Sequence, residues 1–119
     1  MGFGGVDSLY PVLAIVDPEL MKSVPSTFTA YQGFDALFHS TECYISKAAN
    51  MISDMYALTA IENIGKYLAR AVKDGSDMEA RQHVAFANTL SGTVMTISAC
   101  TSEHSMEHAM SAYYQNLPH

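Results

Sequence analysis

Two short segments of the chain carry side chains that can bind a metal ion. Asp35 and His39 are four residues apart, His104 and His108 are also four apart, and His119 follows further along. Residues four apart on a helix lie on one face, about one turn from each other. One carboxylate and three of these four imidazoles would suit iron, zinc, nickel or copper, and would not suit magnesium or calcium. We therefore predict a site for a divalent ion that acts as a Lewis acid.

Other interpretations of the same residues remain open at this point. Asp35 and His39 could simply pair with each other, since an unpaired carboxylate is costly to bury on an apolar helix. The segment from His104 to His108 matches the H-x-x-E-H pattern of inverted zinc peptidases, in which Glu107 would be the general base. A non-catalytic helical module for metal binding or dimerisation is the third interpretation.

Four further side chains give information about the surroundings of the site or about the cellular compartment. Glu42 lies one turn beyond His39 and is either an acceptor for that imidazole or a solvated carboxylate. We interpret His83 as a surface or rim residue. Cys43 and Cys100 have no C-x-x-C partner, and we interpret them as reduced, buried thiols of a cytoplasmic protein.

The apolar pattern predicts the helices that position these segments. Apolar residues recur three or four positions apart, as on the buried face of a helix. Two apolar stripes carry this pattern, and they contain Ala57, Ile61, Ile64, Leu68 and Val72, and then Phe86, Leu90, Val94 and Ile97. The predicted helices span about Phe28–Ser46, Met51–Lys73 and Met78–Ser98, and a fourth starts near Ser102 and ends before Asn116.

The predicted fold class is all-α, an antiparallel bundle of about four helices. The segment from Val12 to Val16 is instead continuously apolar, which is typical of a buried strand. One strand cannot make a sheet, so we expect its partners outside these 119 residues. Gly65 and Gly92 lie inside predicted helices, where each costs about 1 kcal/mol relative to Ala. Close packing between helices is the expected reason for both.

Charge and hydropathy exclude several classes of partner. The 12 acidic residues outnumber the 6 Lys and Arg, and the net charge of −6 argues against nucleic acid and against an anionic membrane surface. No apolar run reaches the roughly 20 residues of a spanning helix, so no membrane partner is expected. Charged residues make up 15% of the chain, against about 25% in an ordinary domain, which indicates either a homo-oligomer or a piece of a larger protein.

With these residues in view, the chain resembles the iron-containing (group III) alcohol dehydrogenases over nearly all of its length. The resemblance rests on three blocks and on the spacing between them. The blocks are AIVDPEL at residues 14–20, GFDALFH at residues 33–39, and HSMEHAM at residues 104–110, which leads to Pro118-His119.

The resemblance implies roles for individual residues. Asp35, His39, His104 and His119 match the four metal ligands of the family, with Fe(II) as the expected ion and Zn as the alternative. His108 matches an additional histidine that is placed by the substrate and the nicotinamide. Its implied catalytic role is to move a proton or to shape the site.

The resemblance also implies how the chain is organised and what it does. Residues 1–20 correspond to a lead-in and the last strand of an α/β domain that binds NAD(P) through a Gly-Gly-Gly-Ser loop, which this sequence lacks. Residues 21–119 correspond to a helical metal-binding domain truncated at its C-terminus. The implied reaction interconverts a small alcohol with an aldehyde or ketone by hydride transfer. These residues alone are expected to be inactive.

Two departures from the family pattern have expected consequences. The family often has Thr where Phe38 stands, and this change is expected to alter the pocket. The stretch from His108 to His119 is one residue longer than in many members. The extra residue is expected to displace His119.

Overall fold

The computed structural model describes residues 7–116, and this part of the chain is built from helices. Two short 3₁₀ turns, Asp7–Leu9 and Pro18–Met21, come before the helical body. The α-helices are α1 (Ser26–Ile45), α2 (Met51–Lys73), α3 (Met78–Ile97) and α4 (Ser102–Tyr113). The predicted all-α class is confirmed. α2 has the predicted bounds, because strong signals mark both of its ends.

Polar side chains fix where α2 and α3 begin. The Asn50 side chain accepts from the backbone N–H groups of Ile52 and Ser53, and Ser53 Oγ accepts from the backbone N–H of Asn50. This reciprocal cap satisfies donors that have no partner inside the helix. Asp77 caps α3 by accepting from the backbone N–H of Ala80. Short connections then make α2 antiparallel to both α1 and α3.

The core lies between α1, α2 and α3 and is made largely of small residues, which let the helices approach closely. Gly33 is the point of closest approach, since a methyl group added there would lie 2.2 Å from Leu68 Cδ1. The prediction that Gly65 and Gly92 allow close packing between helices is wrong, because a methyl group added at either glycine would meet no neighbouring atom within 4 Å. The buried apolar side chains are Ala36, Cys43, Ala57, Ala60, Ile64, Leu68, Ala71, Ala80, Ala85, Ala87 and Val94.

The buried face of α3 differs from the predicted apolar stripe. Phe86 is 48% exposed, whereas Ala87 and Ser91 are completely buried. The Ser91 hydroxyl hydrogen bonds to the Ser40 hydroxyl at 2.7 Å, and it lies 2.8 Å from the carbonyl oxygen of Ala36. A pair of serines thus joins α1 to α3 at a distance that a larger apolar residue would not allow.

The segment from Val12 to Val16 is not a strand within residues 7–116, and its pairing with strands outside these 119 residues stays a prediction. Residues 7–116 contain no strand that could pair with it, and a strand requires a hydrogen-bonding neighbour. Val12, Leu13 and Ile15 are exposed. The following turn, Pro18–Met21, packs against α3. The domain boundary after residue 20 stays a prediction.

Arg81 ties the start of α1 to α3 and to the preceding loop. Its side chain is buried, and its guanidinium donates to Thr29 Oγ1 at 2.7 Å. It also donates to the carbonyl oxygens of Val24 and Gly75, both at 3.0 Å. Three neutral acceptors therefore hold this charge inside the bundle.

α4 lies outside the three-helix core and packs against α1. No residue of α4 is fully buried. The position of α4 therefore depends on specific polar contacts with α1, which belong to the site described next. No helix within residues 7–116 is long and apolar enough to cross a membrane.

Candidate metal centre

Helices α1 and α4 bring three of the predicted metal ligands together. His104 Nε2 of α4 lies 3.3 Å from Asp35 Oδ1, and His39 Nδ1 lies 3.5 Å from Asp35 Oδ2. The rings of His39 and His104 are stacked, with their centroids 4.2 Å apart and their planes at 21°. Residues 69 positions apart in sequence thus form one cluster, and α1 alone fixes the separation of Asp35 and His39.

Glu42, which is completely buried, holds α4 in place. Its Oε1 accepts from the backbone N–H of Glu103 at 2.6 Å and from that of His104 at 3.2 Å. Its Oε2 accepts from Nδ1 of the His104 ring. Thr101 precedes α4 without making a side-chain cap, so Glu42 supplies the missing acceptor from another helix. A negative charge is also favourable at a helix N-terminus.

The charge of Glu42 is maintained by its hydrogen bonds. Burial by itself raises the pKa of a carboxyl group, since it disfavours the charged form. The hydrogen bonds from Glu103 and His104 outweigh burial and lower the pKa of Glu42 to about 2. Glu42 is therefore an anion at neutral pH. An ionised carboxylate only accepts hydrogen bonds, so Nδ1 of His104 carries the hydrogen.

This arrangement fits a metal ion. With its hydrogen on Nδ1, a neutral His104 ring has a lone pair on Nε2, which faces the Asp35 carboxylate. Two electron-rich atoms so close favour a cation between them, either a proton or a metal ion. Imidazoles that bind metals generally donate their other N–H to a carboxylate or carbonyl. Glu42 does this for His104.

Cys100 also lies beside the cluster. Its Sγ and one nitrogen each of His39 and His104 all lie within 4.8 Å of one another. Burial, followed by the nearby Cys43 and Glu42, raises the pKa of the Cys100 thiol to about 12. Both cysteines are free thiols, Cys43 buried and Cys100 partly exposed.

A pocket of about 200 Å³ opens next to the cluster. Asp35 and His104 form part of its wall, so a molecule in the pocket would contact the cluster directly. Phe38, where the family often has Thr, is also in the wall. The other lining residues are Tyr31, Phe34, Glu103 and Glu107.

The remaining histidines are placed differently. His108 is 68% exposed, and its ring centroid lies 6.3 Å from that of His104, at 80°. His104 thus faces His39 more closely than it faces His108, which favours the set from two helices over the H-x-x-E-H pair. His83 stacks on Tyr67 away from the cluster, in agreement with a rim position. His119 lies outside the described residues, and its role stays a prediction.

The surroundings of two residues at this site differ from what the sequence predicts. The sequence predicts Glu42 as an acceptor for His39 or as a solvated carboxylate, but Glu42 is buried and accepts from His104. Its spacing from His39 placed it on the correct face of α1, whereas the identity of its partner depends on where α4 lies. Cys100 had no sequence signal, because it stands alone in the connection between α3 and α4.

Comparison with known proteins places the chain in a family. The model of the Fe-containing alcohol dehydrogenase family, C-terminal part, matches residues 29–119. Alcohol dehydrogenase 4 of Schizosaccharomyces pombe is 42% identical over 109 residues, which are 92% of this chain and 26% of that protein. The NAD-dependent methanol dehydrogenase of Bacillus methanolicus is 35% identical over an alignment of 122 positions, which covers 95% of this chain and 32% of that protein.

Solved structures agree with this result. A variant of an archaeal alcohol dehydrogenase from a Red Sea brine pool is 38% identical and superposes with a TM-score of 0.90, over 97% of this chain and 28% of that chain. The sulfoacetaldehyde reductase of Bifidobacterium kashiwanohense, solved with NAD⁺, is 35% identical with a TM-score of 0.88, over 91% of this chain and 29% of that chain.

The chain therefore belongs to the Fe-containing alcohol dehydrogenase family and matches its C-terminal, helical part. It spans about a quarter to a third of the length of the relatives described above.

Proposed function

We propose that the chain is the metal-holding helical part of a metal- and NAD(P)-dependent alcohol dehydrogenase. The whole protein would interconvert alcohols with aldehydes or ketones by hydride transfer. The observation that carries this proposal is the convergence of Asp35, His39 and His104 beside an open pocket, with Glu42 fixing the orientation of His104.

The proposed metal ligands are Asp35, His39, His104 and His119. Fe(II) is the proposed ion and Zn the alternative, since both accept imidazole and carboxylate ligands. A bound divalent ion would supply Lewis-acid polarisation of a substrate oxygen, and NAD(P) would accept or donate the hydride. Asp35 and His39 contribute a preset spacing from α1, and His104 contributes a nitrogen whose direction Glu42 determines.

The other residues of the site would bind the substrate and move its proton. Tyr31, Phe34 and Phe38 line the pocket and would bury the carbon chain of a small alcohol, excluding water from the reacting atoms. Phe38 is bulkier than the Thr often found at this position, so it would favour small substrates. His108 is exposed and would carry a proton between the site and solvent.

Three further parts of the proposal concern the whole protein. NAD(P) would bind to a domain that these 119 residues do not include, because they contain no Gly-Gly-Gly-Ser loop. We propose a homo-oligomer, since several large apolar side chains are exposed on the described surface, among them Phe28, Phe34, Ile45 and Met51. We propose a cytoplasmic location on the basis of the two free thiols.

Metal content tests the ligand assignment. The untagged chain would be reconstituted with Fe(II) without oxygen, and the bound metal counted by plasma mass spectrometry. We expect Asp35→Ala and His39→Ala to lose the metal and Glu107→Gln to keep it. Glu107→Gln is the matched control, because it alters a carboxylate of the same pocket that is not a proposed ligand. Equal metal content in all four proteins would contradict the assignment.

Activity is tested on the whole protein that contains this chain. We expect oxidation of small primary alcohols to depend on both NAD(P)⁺ and a divalent ion, followed by NAD(P)H absorbance. Removal of the ion with a chelator should abolish turnover, and its return should restore it. Activity that survives complete metal removal would overturn the proposal, and so would turnover by the purified 119-residue chain.

A further inference from the structure

We propose that the metal centre has a second ligand set, in which the Cys100 thiolate joins His39 and His104 to bind a thiophilic ion such as Cd²⁺. This inference rests on the proposed function in one respect, because the two sets share His39 and His104. It adds a ligand that the family resemblance does not assign. The site would then select between two coordination modes according to the ion offered.

The geometry of the three donors carries the proposal. The Cys100 Sγ and the two imidazole nitrogens lie within 4.8 Å of one another. Zn–N bonds of about 2.0 Å and Zn–S bonds of about 2.3 Å place two ligands of one tetrahedral ion roughly 3.3–3.5 Å apart. A contraction of at most about 1.5 Å would therefore complete the set. Cys100 lies in the short connection at residues 98–101, where the backbone is not fixed by a helix.

The ligand already oriented by the protein serves both sets. Glu42 accepts from Nδ1 of His104 and so fixes the position of this ring beside both Asp35 and Cys100. The difference lies in the third donor, a carboxylate from α1 or a thiol from the α3–α4 connection. Thiolate prefers soft ions such as Cd²⁺, whereas carboxylate suits harder ions. The nature of the ion therefore determines which donor is used.

The chemical step involves no change of oxidation state. As the S–metal bond forms, the S–H bond of Cys100 breaks and its proton passes to the buffer. The ion remains divalent and no electron acceptor is needed. Cys43 lies nearby but is completely buried and is not one of the three converging donors. It is therefore the matched control for Cys100.

The test is a spectroscopic titration of the reduced, untagged chain with Cd²⁺ and separately with Co²⁺. A thiolate bound to either ion gives a charge-transfer band in the ultraviolet that imidazole and carboxylate do not give. We expect the band in the wild type, in Cys43→Ser and, for Cd²⁺, in Asp35→Ala. We expect Cys100→Ser to lose it. Circular dichroism verifies that each variant is folded.

A second measurement does not depend on a variant. Cd²⁺ should protect Cys100 of the wild type from alkylation by iodoacetamide, as read by peptide mass spectrometry. Mg²⁺ should give no protection and is the control ion. Alkylation of Cys100 at the same rate with and without Cd²⁺ would overturn the inference.

The remaining outcomes separate this inference from the proposed function. If Co²⁺ binds but gives no thiolate band in the wild type, the second ligand set is wrong and the first remains. If the band persists in Cys100→Ser and disappears in Cys43→Ser, the wrong cysteine has been assigned. If neither ion binds to the folded wild type, both ligand sets fail together.

Discussion

One buried charged side chain lies at each end of α1, Arg81 of α3 at its start and Glu42 of α1 near its other end. The two differ in the groups that they contact. Near the start of the helix, Arg81 donates to a hydroxyl and two carbonyl oxygens. Near the other end, Glu42 accepts from two backbone N–H groups and from the His104 ring. Both side chains join α1 to other segments of the chain. Only Glu42 contacts a residue of the metal centre.

The difference shows how a charge can couple the fold to the site. The partners of Arg81 are groups with no chemistry of their own, so its network only joins the start of α1 to α3 and the preceding loop. The Glu42 carboxylate fixes the start of α4 and the direction of His104 at the same time. A change at Arg81 should therefore alter stability alone, whereas a change at Glu42 should also alter metal binding.

The largest effect is expected for Arg81→Met. The substitution keeps much of the apolar stem but removes one donor from Thr29 Oγ1 and from the carbonyl oxygens of Val24 and Gly75. Each unsatisfied buried group costs about 1–3 kcal/mol, so the free energy of unfolding should fall by about 3 kcal/mol or more. Urea unfolding followed by circular dichroism measures this change.

The control for Arg81→Met is Arg70→Met, which removes an exposed arginine that pairs with Asp77 and Glu79. Exposed ion pairs contribute little to stability. The Co²⁺ affinity of the folded protein should stay unchanged in both variants. A loss of Co²⁺ affinity in folded Arg81→Met would show that Arg81 also supports the metal centre, contrary to the difference proposed between the two ends of α1.

Glu42→Gln should weaken metal binding. The amide lacks the charge that holds the hydrogen of His104 on Nδ1, so the ring is no longer oriented with Nε2 toward the ion. Loss of such a supporting carboxylate typically lowers metal affinity about 10- to 100-fold. Competition with a chromophoric chelator gives the dissociation constant for Co²⁺.

Glu107→Gln serves as the control here as well, because it keeps the contacts between Glu42 and His104 intact. Equal Co²⁺ affinities of Glu42→Gln and the wild type would show that Glu42, like Arg81, only stabilises the fold. The two buried charges would then not differ in function.

Gly33→Ala tests the packing that lies between the two ends. The added methyl group would meet the Leu68 side chain, which is 7% exposed and has little room to move. Overpacking of this kind costs about 1–3 kcal/mol. Gly65→Ala is the control and should be neutral or stabilising, since Ala is the better helix former and the space there is open. Thermal unfolding of both variants decides the matter.

The helices could be predicted from the sequence because their signals are local. Asn50 and Asp77 are good caps, and the apolar spacing of α2 is regular, so these helices follow from periodicity and capping. The metal residues Asp35 and His39 could also be predicted as a pair, since one helix fixes their separation. Their approach to His104 was implied by the family resemblance.

The contacts between helices could not be predicted, because they depend on shape. Phe86 is exposed and Ala87 is buried since close packing at Ser91 leaves room only for small side chains. Gly33 touches Leu68 for the same reason, while Gly65 touches nothing. The segment Val12 to Val16 has the composition of a strand, but within residues 7–116 no strand pairs with it.

The smallest effect is expected at Asp77, a partly buried cap one turn before Arg81. The backbone N–H of Ala80 and then the Arg70 guanidinium hold the pKa of Asp77 below its ordinary value of 3.8. Because the folded-state pKa is the lower one, the charged form stabilises the fold above the ordinary value. This contribution is lost as the pH falls through the lowered pKa.

In Asp77→Asn, urea midpoints should therefore fall slightly at neutral pH and depend less on pH in the acid range than those of the wild type. In Arg70→Met the acid dependence should be reduced only in part, because the hydrogen bond from Ala80 remains. If Asp77→Asn instead lost as much stability as Arg81→Met, the stability of this region would come from the Asp77 cap. The buried guanidinium of Arg81 would then not be the feature that distinguishes the start of α1 from its other end at Glu42.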